Sequence, residues 1–294
     1  MPALFETLRW TAPDAQLAAL SSQPETCLTN DPRRALDIEV QAGHALFNST
    51  ALLGGQAAKS GLSCASCHNN GRDNPHFLMA GISDDPGTAD VTNSFFSVAR
   101  GNGRFDPVAI PDLAAPGKIS RDPGAATLEP FLRTLIVEEF AGPEPSLAML
   151  SALGAYVRAV RVCPDSLGQP VPRGLNDQLQ LVQHAVAGAA DMAMRGDNQA
   201  SRALIAAARH QLGLISERYS GKQFGAERAQ LVTASRSLSA IVQRPSSAAD
   251  LATALSGWTQ RFDAGLARQL GAKAPQSLYH PANLGFVALQ RDNR

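Results

Sequence analysis

The sequence predicts an all-α protein built in two parts, and three observations carry that expectation. Alanine and leucine abound while aromatic residues make up only 5% of 294 positions, a composition that favours helix over strand. Apolar residues recur every three or four positions in several separate stretches, the period of one helical face. The chain is longer than one average domain, and CPDSLGQPVPRG, from Cys163 to Gly174, packs three prolines and two glycines into twelve residues, as a domain boundary does.

Residues 1–30 read as a peripheral N-terminal extension with a short helix around Asp14–Leu20. Asp31–Pro32 has the form of a helix start, an N-cap carboxylate followed by proline at the first helical position. Leu36, Val40, Gly43 and Phe47 then recur at spacings of four, three and four, one face of an amphipathic helix. From Asn69 to Leu128 the sequence turns loop-rich, with NNGRDNPH, DDPG, GNGRFDP, AAPG and RDPG. So long a stretch without periodicity is expected to wrap something or to carry function. Regularity returns in EPFLRTLIVEEF and then in PSLAMLSALGAYVRAV, where Leu150, Leu153, Val157 and Val160 form a stripe that starts at Pro145–Ser146. A first domain over 31–165 and a linker over 166–174 follow from this pattern.

Residues 175–294 carry four alanine-rich helical patterns. Their stripes run through Leu179, Val182 and Val186; Leu204, Ala208, Leu212 and Ile215; Leu231, Ala234, Leu238 and Ile241; and Leu251, Leu255, Trp258, Phe262 and Leu266. Ser247 and Asp250 have the form of a capping pair at the start of the fourth. Short breaks at RGDN, SGKQFG and RPSS favour antiparallel neighbours, hence a four-helix bundle. The tail SLYHPANLGFVALQRDNR fits packing onto either domain.

Lysine plus arginine equals aspartate plus glutamate, 26 each, so the overall charge gives no reason to expect nucleic acid or an anionic membrane as partner. No apolar run approaches the roughly 20 residues that span a bilayer. The opening MPALFETLRWTAPDAQ lacks the basic and apolar regions of an export signal.

Two of the four cysteines sit in GLSCASCHNN, where Cys64, Cys67 and His68 fall within five positions. Cys-x-x-Cys-His is the signature of covalent haem attachment. Two thiols one helical turn apart can add to the two vinyl groups along one porphyrin edge, and the adjacent histidine then stands over the iron as an axial ligand. A redox CxxC pair would sit beside a βαβ pattern, and no strand pattern precedes this one. A zinc site would need a second ligand pair at a matched spacing, whereas Cys27 and Cys163 are single and far apart.

The flanking residues extend the reading. GHALF at Gly43–Phe47 and LGAYVRAV at Leu153–Val160 resemble the first and last helices of class I cytochromes c. In that fold the helix glycine lets the two helices cross closely, with aromatic rings beside the crossing. SCASCHNNGR, TADVTNSFFSV and EEFAGPEPSLAMLSALGAYVRAV are similar to the haem domains of bacterial di-haem cytochrome c peroxidases and methylamine-dehydrogenase maturases, over about residues 30–165. The resemblance implies a class I cytochrome c domain with one covalent haem c on Cys64 and Cys67 and with His68 on the iron. It departs from those families in two ways. They carry two CxxCH strings and this chain has one. Their peroxide chemistry also needs an acidic or amide side chain over an open iron. The matching region here offers Asp106, Asp112 and Asp122, none in the expected place, so no catalytic residue is assigned.

The expected function is therefore a mono-haem cytochrome that passes single electrons between periplasmic partner proteins. The alternative is a peroxidase-like or maturase-like haem enzyme acting on hydrogen peroxide. Met79, eleven residues after His68, and His76, eight after it, are the candidates for the sixth iron ligand. Met149 belongs to the last-helix core pattern, His44 to partly exposed surface, and His184, His210 and His280 to surface or core-edge positions of the second domain. Bacterial haem attachment to CxxCH takes place outside the cytoplasm, so the sequence reads as the mature or trimmed form of a periplasmic protein. In such an oxidising compartment Cys27 and Cys163 are expected to pair. The sequence indicates no oligomeric state.

Overall fold

A computed structural model of the chain describes residues 5–28, 35–97, 99–122, 124–243 and 247–284. It is all-α in character. The N-terminal segment holds α1 (Gln16–Ser21) and the two-residue strand β1 (Ser22–Gln23). The expected helix start at Asp31–Pro32 lies outside the described residues. The helix that follows, α2 (Ile38–Phe47), begins after Leu36, which therefore precedes the stripe it was expected to join. Two short helices, α3 (Gly55–Lys59) and α4 (Cys64–Cys67), lead into the long loop, which pairs β2 (Thr88–Ala89) with β3 (Val108–Ala109) and makes a single bridge from Phe77 to Thr11 of the N-terminal segment. Next, α5 (Leu128–Thr134) runs into a π-helical turn at Leu135–Glu139, and α6 (Leu147–Ala159) starts where the Ser146 hydroxyl accepts from the Met149 amide at 3.2 Å. The fourth short strand, β4 (Val171–Pro172), pairs antiparallel with β1.

The second half is built from α7 (Leu175–Met194), α8 (Asn198–Arg218), α9 (Gly225–Gln243) and α10 (Ala248–Phe262), followed by α11 (Arg268–Lys273). Helix α7 packs on α8 and α10, and α9 packs on α8 and α10. The expected cap is present, with the Asp250 amide donating to the Ser247 hydroxyl at 3.1 Å. Met192 is 1% exposed and Met194 57%, as two positions on one helix require when they point to opposite faces. No described helix is long and apolar enough to cross a membrane.

The linker interrupts the chain but not the core. One apolar cluster runs from Leu46, Leu153 and Tyr156 into Val182, Ala185 and Leu204, so α2 is sandwiched between α6 and α7. The closest approach is at Gly43. A Cβ placed there would stand 1.9 Å from the Ala152 carbonyl oxygen, so only glycine lets the α2 and α6 backbones cross at this distance. Phe47 and Tyr156 fill the space beside the crossing, with ring centroids 4.9 Å apart.

The N-terminal segment is not peripheral. Trp10 is 5% exposed, and Phe5 and Leu20 pack with Leu278 and Leu284 of the tail. The described part of the tail thus closes over the start of the chain, and the Leu278 amide donates to the Arg218 carbonyl at 2.8 Å. Cys27 and Cys163 form a disulfide that fastens the segment to the chain just beyond α6.

Where α2 meets α7, His44 faces His184 with the two Nδ1 atoms 3.2 Å apart, and the His44 ring stacks on Tyr156. One Nδ1–H donates and the other accepts, so the accepting ring is neutral, and burial keeps the donating ring neutral as well. Burial, and then the neighbouring His184, hold His44 down at about 3; burial holds His184 at about 4. An unfolded histidine titrates near 6.5. Between these values the unfolded chain binds more protons than the folded one, so stability is full above about pH 6.5 and is lost as pH falls. The expected loss by pH 5 is about 2 kcal/mol per histidine. Urea midpoints at pH 7 and pH 5 for the protein and for His184→Gln measure it: the variant is expected to lose about 2 kcal/mol less between the two pH values, because the other titrating groups are common to both. An equal loss in the two proteins would contradict a neutral pair.

Candidate functional site

The SCASCH stretch folds into a single tight turn because its own side chains and backbone close it. The Ser63 amide donates to the Ser66 hydroxyl at 3.0 Å, and the His68 amide donates to the Cys64 carbonyl at 2.8 Å. Residues three apart on such a turn share a face, so both thiols point the same way. After His68 the chain reverses through Asn70 and Gly71, both with positive φ (54° and 77°). A side chain on Gly71 would meet Val160 at 2.8 Å, so glycine is required for the turn to nest against the end of α6.

Cys64, Cys67 and His68 open into one cavity of about 980 Å³, its mouth included. Phe47 and Leu153 wall it from α2 and α6, and Leu132 and Ile136 from α5 and its π-helical turn. The remaining wall is supplied by the long loop through Phe77, Ile82, Phe96 and Leu113. The long loop, expected to wrap something or to carry function, lines this apolar hollow. Phe131 lines the cavity and is 55% exposed, which marks the rim.

His68 is held by its far nitrogen. Its Nδ1 lies 3.1 Å from the Pro111 carbonyl oxygen, which can only accept, so Nδ1 carries the proton and Nε2 keeps a free lone pair. Burial pushes His68 down to about 4, against smaller opposing effects from the Pro111 and Arg72 backbones and Asp112, so the ring is neutral at ordinary pH. The Pro111 carbonyl is itself positioned by an ion pair. Arg72 donates through Nε and Nη2 to both carboxylate oxygens of Asp112 at 2.7 Å each, and the Asp112 carboxylate also accepts from the Ala114 amide at 2.8 Å. This fork ties the loop to the turn that bears His68.

The two thiols are free, and burial pushes each up to about 12. A redox CxxC pair needs a thiolate favoured near neutral pH, the opposite of this setting. Cys27 and Cys163 are bonded to each other and cannot complete a zinc site with them.

Met79 and His76 are not among the cavity-lining residues. Met79 packs behind the wall, against the cluster that contains Phe77 and Ile82, and His76 is half-buried with its carbonyl accepting from the Ala12 amide at 2.9 Å. Met149 lies in the core. Asp106 and Asp122 are exposed and Asp112 is committed to Arg72, so none of the three carboxylates lines the cavity. The contributions of Pro111, Arg72 and Asp112 were not foreseen. The arginine four residues after His68 was the available signal, but its partner is 40 positions away.

The chain matches no family profile, no curated protein and no solved structure.

Proposed function

We propose that the chain is a c-type haem protein, and within that class a mono-haem cytochrome of the class I kind joined to a four-helix bundle, passing single electrons between partner proteins. The observation that carries this reading is the donor set at one end of the cavity: two neutral thiols on one face of a single turn, beside an imidazole whose Nδ1–H is engaged by Pro111. The residues fit the group. Apolar walls of this kind lose stability while they face water, at about 25 cal/mol per Å², and a flat apolar macrocycle would relieve that cost. Cys64 and Cys67 would each hold it through a thioether, and His68 Nε2 would bind the iron. Arg72 and Asp112 act one layer out, fixing the imidazole through Pro111. Bound there, a haem supplies a one-electron Fe(III)/Fe(II) couple.

The disulfide supports an oxidising compartment, in keeping with a periplasmic protein that meets its redox partners there. The rim at Phe131 is where such a partner would approach. The second reading, a haem enzyme acting on hydrogen peroxide, is favoured by one observation: no second imidazole or thioether sulfur lines the cavity among the described residues. Against it, no carboxylate or amide side chain lines the cavity among the described residues to move a proton.

Visible spectra of the purified ferric and ferrous protein separate the two. Low-spin, six-coordinate iron that ignores carbon monoxide and peroxide is the expected result and requires Met79, His76 or another residue to enter the cavity. High-spin iron that binds both would transfer the assignment to the enzyme.

A further inference from the structure

A second cavity lies on the other side of the haem-motif turn. Ser63, Ala65 and Ser66 of that turn form one wall, while Cys64 and Cys67 face the apolar cavity. Its volume is about 1420 Å³ with its mouth included, and it sits where the N-terminal segment, α2, the linker, α7 and α8 meet. Junctions between such parts are common places for small-molecule sites.

Most polar groups in its walls are already paired. Gln23 Nε2 donates to Asp177 at 3.0 Å, Asn70 Nδ2 to the Pro24 carbonyl at 2.9 Å, and Asn74 Nδ2 to the Ser66 carbonyl at 2.7 Å. Two groups are not. Arg173 Nε and His210 Nδ1 are sealed from solvent and have no hydrogen-bond partner among the described residues. An unpaired donor on a buried cation is costly, more so than on a neutral group. Arg173 uses Nη2 to donate to Asn69 Oδ1 at 2.8 Å, which leaves the Nε side of its fork unused.

The charge around it is mixed. Arg218, 5% exposed, also lines the cavity, with its two Nη atoms donating to the Leu278 and Leu20 carbonyls at 3.1 and 2.9 Å. Burial first, and then Arg218, bring Arg173 down to about 10, with Asp177 acting in the opposite direction. Asp177 already accepts from the Gly174 amide and Gln23. At the far side His210 Nε2 meets Glu6 at 2.8 Å, and burial raises Glu217 to about 7, so that this carboxyl is partly protonated at neutral pH. Glu6, Glu217 and Asp177 together disfavour a doubly charged guest. Trp10, Leu20, Leu28 and Leu181 supply apolar surface in the same cavity.

We propose that this cavity binds a small organic monocarboxylate, with the carboxylate on the Arg173 fork and an apolar body against Trp10 and Leu20. A planar carboxylate matches a guanidinium edge, and a single charge suits the mixed walls. The inference does not depend on the haem assignment and fails or stands separately from it.

Calorimetric titration of the full-length, purified protein with benzoate, benzamide and inorganic phosphate tests it. Benzoate is expected to bind one to one, at least about tenfold more tightly than benzamide or phosphate, and Arg173→Gln is expected to weaken it by at least about tenfold. No benzoate binding, equal binding of benzamide, tighter binding of phosphate, or unchanged binding by a folded Arg173→Gln variant would each overturn the proposal. If that variant does not fold, the comparison of benzoate with benzamide on the unaltered chain still decides.

Discussion

Gly43→Ala is expected to lower the unfolding free energy by about 3 kcal/mol or more, the upper range for overpacking a closed interior. The added methyl would stand 1.9 Å from the Ala152 carbonyl oxygen and 2.8 Å from the Tyr156 Cβ, far inside van der Waals contact. The nearest obstacle is backbone, so no rotamer change relieves it. Helix α2 must move off α6, and with it Phe47, which lines the cavity and packs beside His68. The sign is diagnostic. In a helix without this crossing, replacing glycine by alanine stabilises by about 1 kcal/mol. Urea unfolding of the two proteins measures the difference, and a neutral or stabilising alanine would remove the close crossing from the account.

Cys27→Ser with Cys163→Ser is expected to cost about 4–5 kcal/mol. The bridge joins positions 136 apart and encloses everything from α2 to α6. In the chain-entropy account a closed loop of about 100 residues is worth roughly 4.7 kcal/mol, and the dependence on length beyond that is slow. The cross-link also holds the N-terminal segment beside Arg161, whose amide donates to the Cys27 carbonyl at 2.8 Å. Denaturant midpoints of the oxidised protein and the double serine variant read the loss. A difference below about 1 kcal/mol would mean that the unfolded chain is not restrained by the bridge.

Much of this organisation is legible in the sequence because it is local. The CxxCH string, the cap at Ser247, the glycine in GHALF and the four alanine-rich stripes each declare themselves within a few positions, and each corresponds to a feature at its place in the structure. Tertiary partners are another matter. A helical stripe says that Val182 and Val186 are buried but not that they meet α2 as well as their own neighbours. His44 reads as partly exposed surface in the sequence; it is half-buried, with its ring against Tyr156 of α6 and its Nδ1 facing His184 of α7, two partners that no local pattern announces. Trp10 lies in a segment of short turns with no period to announce its burial. The Pro111 carbonyl that orients His68 is a backbone atom, and no residue type marks it. Arg72 and Asp112 are legible singly but not as a pair, because the loop between them has no regular structure to set their register.

Cys64 and Cys67 are proposed to carry a haem through thioethers. Mass spectrometry and absorption of exported protein, denatured and extracted with acidified organic solvent, test it most directly. The account predicts a chain that stays red and is heavier by one haem, with no thiol left to titrate. A colourless chain at the bare polypeptide mass, with two free thiols, would contradict it.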